Sequence, residues 1–162
     1  MFRLDEKFTR MPLRYLIQCS LGALATAGFL SMLEVLNHIG LVAALGATTF
    51  MVFTMPHRVS SRPRYLIGGY SWGVLSGVGA SSVLSVLGEH GTTTIAWFGA
   101  ASVGVTALLM VATDTEHPPA AGVALGLVLQ TWDYRTIIYV MASVIFLSVV
   151  RRLLSKFLMD LL

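Results

Sequence analysis

Charged residues cut this chain into six uncharged stretches, at 15–33, 39–56, 65–88, 91–113, 118–132 and 136–150. A helix needs about 20 apolar residues to cross the hydrocarbon core of a bilayer. The third and fourth stretches exceed that length. The first reaches it once Arg14 snorkels, and the sixth extends past Arg151 and Arg152, whose long stems can do the same. The second is marginal. The fifth, at roughly 1.5 Å per residue, gives only about 22 Å of helix. It is expected as a half-helix, a re-entrant segment or a short buried span.

Composition supports lipid as the solvent. The 162 residues are 56% hydrophobic and 12% charged, against about 25% charged in an ordinary soluble domain. The expectation is an all-α, polytopic membrane helix bundle forming a single domain over residues 1–162. The net charge of +3 sits in short clusters between apolar runs. That pattern signals topology and not a nucleic-acid-binding face. Cys19 is the sole cysteine, so an intramolecular disulfide and a cysteine-based zinc site are excluded. The first apolar run is longer than a signal-peptide core and has no clear small-x-small cleavage site, so it reads as a retained helix.

Three basic clusters precede the first stretch (Arg3, Lys7, Arg10, Arg14), follow the second (Arg58, Arg62, Arg64) and follow the sixth (Arg151, Arg152, Lys156). Six crossings place all three on one side, expected to be the cytoplasm, with both termini there. Glu34, Asn37, His38, Glu89, His90, Asp133 and Arg135 then fall opposite. Each half of the chain reads long, short, long. Ala44-Leu45-Gly46 matches Ala124-Leu125-Gly126, and His38 and His117 each precede a short segment. This predicts a 3+3 inverted repeat, in which paired short, Gly-interrupted segments point to a binding site.

Gly69, Gly73 and Gly77 form a bare stripe on the third segment, continued by Ser81. Such stripes let backbones touch. Two readings stay open: packing within the chain, and a homodimer face.

The most informative stretch is Thr113-Asp114-Thr115-Glu116-His117-Pro118-Pro119. Two prolines cannot continue a helix but are suited to start one. The chain is expected to break after Ala112 and restart at Pro118, capped by Thr115 or Asp114. The new helix end would offer free N–H groups and positive potential to an anion, and His117 would add a donor or a charge. Asp114 and Glu116 would pair with Arg58, Arg62 or Arg64. In the second stretch, Gly46-Ala47-Thr48-Thr49 places two hydroxyls beside small residues. They can line a polar path or bond back to the preceding turn.

These residues resemble the HPP family of integral membrane proteins, named for the motif that stands here as His117-Pro118-Pro119. A second block, Gly46-Ala47-Thr48, Pro56, Arg62-Pro63-Arg64 and Ile67-Gly68-Gly69, looks like the family's other signature. Together the blocks span about residues 14–150. Members from cyanobacteria and plastids are associated with nitrite transport. The resemblance implies site positions at Gly46, Thr48, Arg64, Gly69 and His117–Pro119. The family commonly has His after the two glycines where this chain has Tyr70, which still offers a hydroxyl.

The expected function is a small inner-membrane transporter or channel for an inorganic anion, with nitrite favoured. The ion would pass as such, or as neutral nitrous acid with His117 relaying the proton. Thr48, Thr49 and Tyr70 would supply hydrogen bonds. A structural or accessory membrane subunit is the alternative, and an intramembrane enzyme ranks last because no HExxH, Gly-x-Ser-x-Gly or paired-Asp pattern is present. No metal, cofactor or nucleic-acid partner is expected.

Overall fold

The computed structural model describes residues 6–31, 39–88 and 91–162. Arg3, Glu34, Asn37, His38, Glu89 and His90 lie outside the described residues. A short helix α1 (Glu6–Arg10) leads into α2 (Pro12–Leu30), α3 (Ile39–Thr54), α4 (Pro63–Leu87), α5 (Thr92–Ala112), α6 (Pro119–Leu129) and α7 (Tyr134–Leu154). A 3-10 turn, Val59–Ser61, interrupts the link between α3 and α4. The six longer helices correspond to the six uncharged stretches. Three of them, α4, α5 and α7, are long and apolar enough to cross a membrane. The chain is thus a multi-pass helical membrane protein, with α3 and α6 as its short apolar helices.

Proline and small residues set the element boundaries. Pro63 and Pro119 stand in the first turns of α4 and α6, where a missing N–H costs nothing. Gly88 ends α4 at φ 93°, a conformation open to glycine. Asp133 caps α7 by accepting a hydrogen bond from the Thr136 amide, and Thr136 reciprocates, a capping box. The Thr136 amide holds the Asp133 carboxyl below the usual carboxylate range.

The short helix α6 sits at the centre, packed by α3, α4 and α5. Its contacts with α3 descend in register. A Cβ on Gly40 would lie 3.3 Å from Gly126 Cα, and one on Gly122 would lie 3.3 Å from Ala44 Cβ, so the two short helices run antiparallel. Its contacts with α4 ascend: Gly69 meets His117, Gly73 meets Ala120 and Gly77 meets Ala124. These two helices run parallel. α7 closes the bundle against α3 and α4, while α2 leans on α3. The core is aliphatic, with Leu45, Val52, Leu66, Val123 and Val144 fully buried.

The glycine stripe of α4 is occupied within the chain. A Cβ at Gly73 would overlap the Ala120 carbonyl, and one at Gly77 would stand 2.8 Å from the Ala124 oxygen. Of the two readings left open for Gly69, Gly73 and Gly77, packing within the chain and a homodimer face, the structure shows the first: α6 fills the stripe. The start of the α2 helix and the ends of α3 and α7 come together at one end of the bundle. Tyr15 donates to the Leu161 carbonyl at 2.9 Å, and Arg151 donates to the Pro56 carbonyl. The described members of the three basic clusters thus share one end.

Candidate functional site

At that same end, the link between α5 and α6 folds inward. Asp114 takes a positive φ of 52°, and Trp72 donates to the Thr113 hydroxyl at 2.8 Å, which in turn pairs with Thr115 at 2.8 Å. Gly68 and Gly69 make room for this link. A Cβ at Gly68 would come within 2.6 Å of Thr115 Cγ2, and one at Gly69 within 2.8 Å of His117 Cβ. Two adjacent glycines on α4 are what let a bulky link approach its backbone. His117 is carried inward and is fully buried.

There it joins Thr48 and Tyr70, also fully buried. His117 Nε2 lies 2.9 Å from Thr48 Oγ1, and Thr48 Oγ1 lies 2.6 Å from the Tyr70 hydroxyl. His117 Nδ1 lies 2.9 Å from the Ser60 carbonyl oxygen. The tautomer follows from these partners. A carbonyl can only accept, so Nδ1 carries a proton. In the neutral ring Nε2 must then accept, which it does from the Thr48 hydroxyl, and Thr48 accepts from Tyr70.

Thr48 has a second choice. Its hydroxyl also lies 3.1 Å from the Ala44 carbonyl, one helical turn back. If His117 takes a second proton, Nε2 becomes a donor to Thr48 Oγ1, and the Thr48 proton turns to Ala44. The oxygen's two lone pairs then accept from Nε2 and from Tyr70. One rotation of one hydroxyl satisfies both protonation states of the imidazole. Buried polar groups are costly when unsatisfied, so a cluster that stays satisfied in both states is suited to hold and pass a proton.

The other predicted residues divide. Pro118 and Pro119 start α6 as expected, but no side chain caps it. The expected free N–H groups are also corrected. Both prolines lack the donor, Ala120 N–H is bonded to the His117 carbonyl at 2.9 Å, and Ala121 N–H to the Pro118 carbonyl at 3.1 Å. The His117 amide points to Met110 Sδ at 3.5 Å. The doubled proline thus leaves this helix end without spare donors for an anion. Arg64 is outside the cluster: it is exposed, pairs with Asp114 at 3.4 Å and donates to the Thr113 carbonyl at 3.2 Å. That pairing is one of those expected for Asp114. Thr49 is buried with its hydroxyl bonded back to Leu45 at 3.0 Å. A Cβ at Gly46 would meet nothing within 4 Å, so Gly46 does not line the cluster.

Sequence reading missed Ser60 and Met110, whose contributions come from a backbone carbonyl and a thioether with no motif to mark them. It also missed Gln18, the one amide in the first apolar stretch and a buried one. Among the described residues, no group of three His, Cys, Asp or Glu side chains is placed to hold a metal ion.

The family model for the HPP transmembrane region matches residues 8–160. The chain belongs to the HPP family. Its matched region runs from before α2 to beyond α7, so it takes in both the His117 link and the Thr48 helix. No curated protein and no solved structure matches the chain. In this HPP protein, the motif's histidine supplies the buried ring, and its two prolines supply the helix start that turns the ring inward.

Proposed function

We propose that this HPP protein is a small membrane transporter of an inorganic anion, most specifically nitrite, and that it moves nitrite together with a proton. The observation that carries this reading is the Thr48 hydroxyl, which has an acceptor to turn to in either protonation state of His117. The start of α6 has no spare N–H donors, and Arg64 is committed to Asp114. A bare anion would find little to replace its water there. Nitrous acid, which carries its own donor and no charge, suits the buried, neutral hydrogen-bonding environment better. His117 would act as the relay, with Thr48 and Tyr70 as its hydrogen-bonding partners. The antiparallel crossing of α3 and α6 supports an inverted repeat, with the site beside the crossing, in the manner of transporters built from paired discontinuous segments. We place the protein in the cell's inner membrane with both termini cytoplasmic, on the basis of the shared end of the basic clusters. We assign it no enzymatic activity.

A second reading, a structural or accessory membrane subunit, is favoured by the complete burial of the three relay side chains. Nitrite flux into proteoliposomes separates the two. Flux above that of empty liposomes, lost in His117→Ala and greater at the lower of two pH values, supports proton-coupled transport. Folded protein with no flux above empty liposomes overturns it and leaves the structural role.

A further inference from the structure

Ser60 belongs to a strap, residues 55–62, that joins α3 to α4. One side of the strap holds His117 through the Ser60 carbonyl. The other side is held by residues 159–161, which fold back after α7. Leu161 N–H donates to the Thr54 carbonyl at 2.8 Å. The Asp160 carboxylate accepts from the His57 amide at 3.0 Å and lies 3.5 Å from His57 Nδ1. Met159 is gripped at both backbone atoms by Gln18. Its N–H donates to Gln18 Oε1 at 3.0 Å, and its carbonyl accepts from Gln18 Nε2 at 3.0 Å.

Gln18 Nε2 also donates to the Phe53 carbonyl at 2.7 Å. Phe53 and Thr54 are the last residues of α3, where helix carbonyls run out of intrahelical partners. Their oxygens are satisfied by Gln18 and by Leu161. A primary amide buried in an apolar helix is expensive unless all its groups are matched. Here it is matched only when residues 159–161 are in place.

We infer that Gln18 and residues 159–161 are positioning elements for His117. They fix the strap, the strap fixes the Ser60 carbonyl, and that carbonyl selects which imidazole nitrogen carries the proton. Arg151 keeps its hold on the Pro56 carbonyl, but with residues 159–161 released the His57 side of the strap loosens, the Ser60 carbonyl shifts from Nδ1, and the ring exchanges tautomers more freely. The functional consequence of this arrangement rests on the proposed relay; the positioning itself does not.

The test uses the full chain with 15N-labelled histidine in nanodiscs, with the His117 signals assigned by their loss in His117→Ala. The native protein is expected to show a protonated Nδ1 and an unprotonated Nε2. Removal of residues 159–162 should move the two nitrogen shifts toward a common average, and Asp160→Ala should move them in the same direction by less. Asp160→Ala alone decides the matter if the shortened chain does not fold. Unchanged His117 shifts in a folded shortened chain, or in Asp160→Ala when only that variant folds, would overturn the inference. Nitrite flux measured on the same samples keeps the two ideas apart. A tautomer change in a protein whose native form moves no nitrite retains the positioning role and removes the transport reading. Fixed shifts with native flux do the reverse.

Discussion

The seam between α4 and α6 and the side of the bundle between α2 and α7 are both made of apolar helices, yet they pack in opposite ways. Along the seam, Gly69, Gly73 and Gly77 bring α4 against the backbone of α6. Between α2 and α7 an apolar groove of about 330 Å³ remains, with Leu24, Gly28, Tyr139 and Phe146 among its walls. In lipid, burial of apolar surface between helices gains little over contact with acyl chains, so close packing and hydrogen bonds decide which helices adhere. The seam has both. Among the described residues, the α2 side packs closely against α3, where a Cβ on Gly22 would meet the Phe53 ring at 3.5 Å, and its side-chain hydrogen bonds to the rest of the bundle lie near its start, through Arg14, Tyr15 and Gln18. The short helix that presents His117 is therefore fixed on three sides, while α2 is held at one face and one end.

The largest expected effect comes from breaking the seam. Gly73→Leu should abolish the folded protein, seen as loss of the monodisperse peak in detergent, because the side chain would have to displace the backbone of α6. Gly28→Ala, in the groove, should leave the protein folded with little change in its melting temperature, since nothing lies within 4 Å of the new Cβ. Equal tolerance at both positions would erase the contrast.

The next effect is at the cluster beside the seam. Thr48→Val keeps the shape and removes the hydroxyl shared by Tyr70, His117 and Ala44. Leaving buried donors or acceptors unmatched costs about 1–3 kcal/mol each. A lower melting temperature is expected, together with loss of nitrite flux. Tyr70→Phe should do less, because Thr48 and His117 still satisfy each other; a Tyr70→Phe defect as large as that of Thr48→Val would move the centre of the relay to Tyr70.

The smallest effect is at the start of α7. Asp133→Ala should speed hydrogen exchange at the Thr136 amide. The folded carboxyl is held below its ordinary range, so its contribution is present above that range and is lost as pH falls through the lowered value. The native amide should then exchange as the variant's does at acid pH, after correction for intrinsic rates.

The six helices were legible because each sits between charges, and a membrane helix can hardly tolerate an unpaired charge along its length. Proline placement gave the start of α6 for an equally local reason. The site was legible only in part. Thr48 and His117 could be named from their types, and Tyr70 from the family resemblance, but their convergence depends on the inward fold of the link over Gly68 and Gly69. Reading Pro118 and Pro119 as an anion-binding helix end failed because that inference counts donors a generic helix start would have, and two prolines remove half of them. The family resemblance implies a site role for Arg64, whereas its geometry commits it to Asp114. The backbone carbonyl of Ser60 and the fold-back of residues 159–161 leave no periodic or compositional trace at all.

The central claim, that Thr48 lets His117 carry a proton with the solute, is tested most directly by measuring nitrite entry and lumenal pH together in proteoliposomes. The native protein and Thr48→Val would be compared, with empty liposomes subtracted. Lumenal acidification should track nitrite entry in the native protein, and both should be lost in Thr48→Val. Nitrite entry without acidification, or acidification that is the same in both proteins, would contradict it.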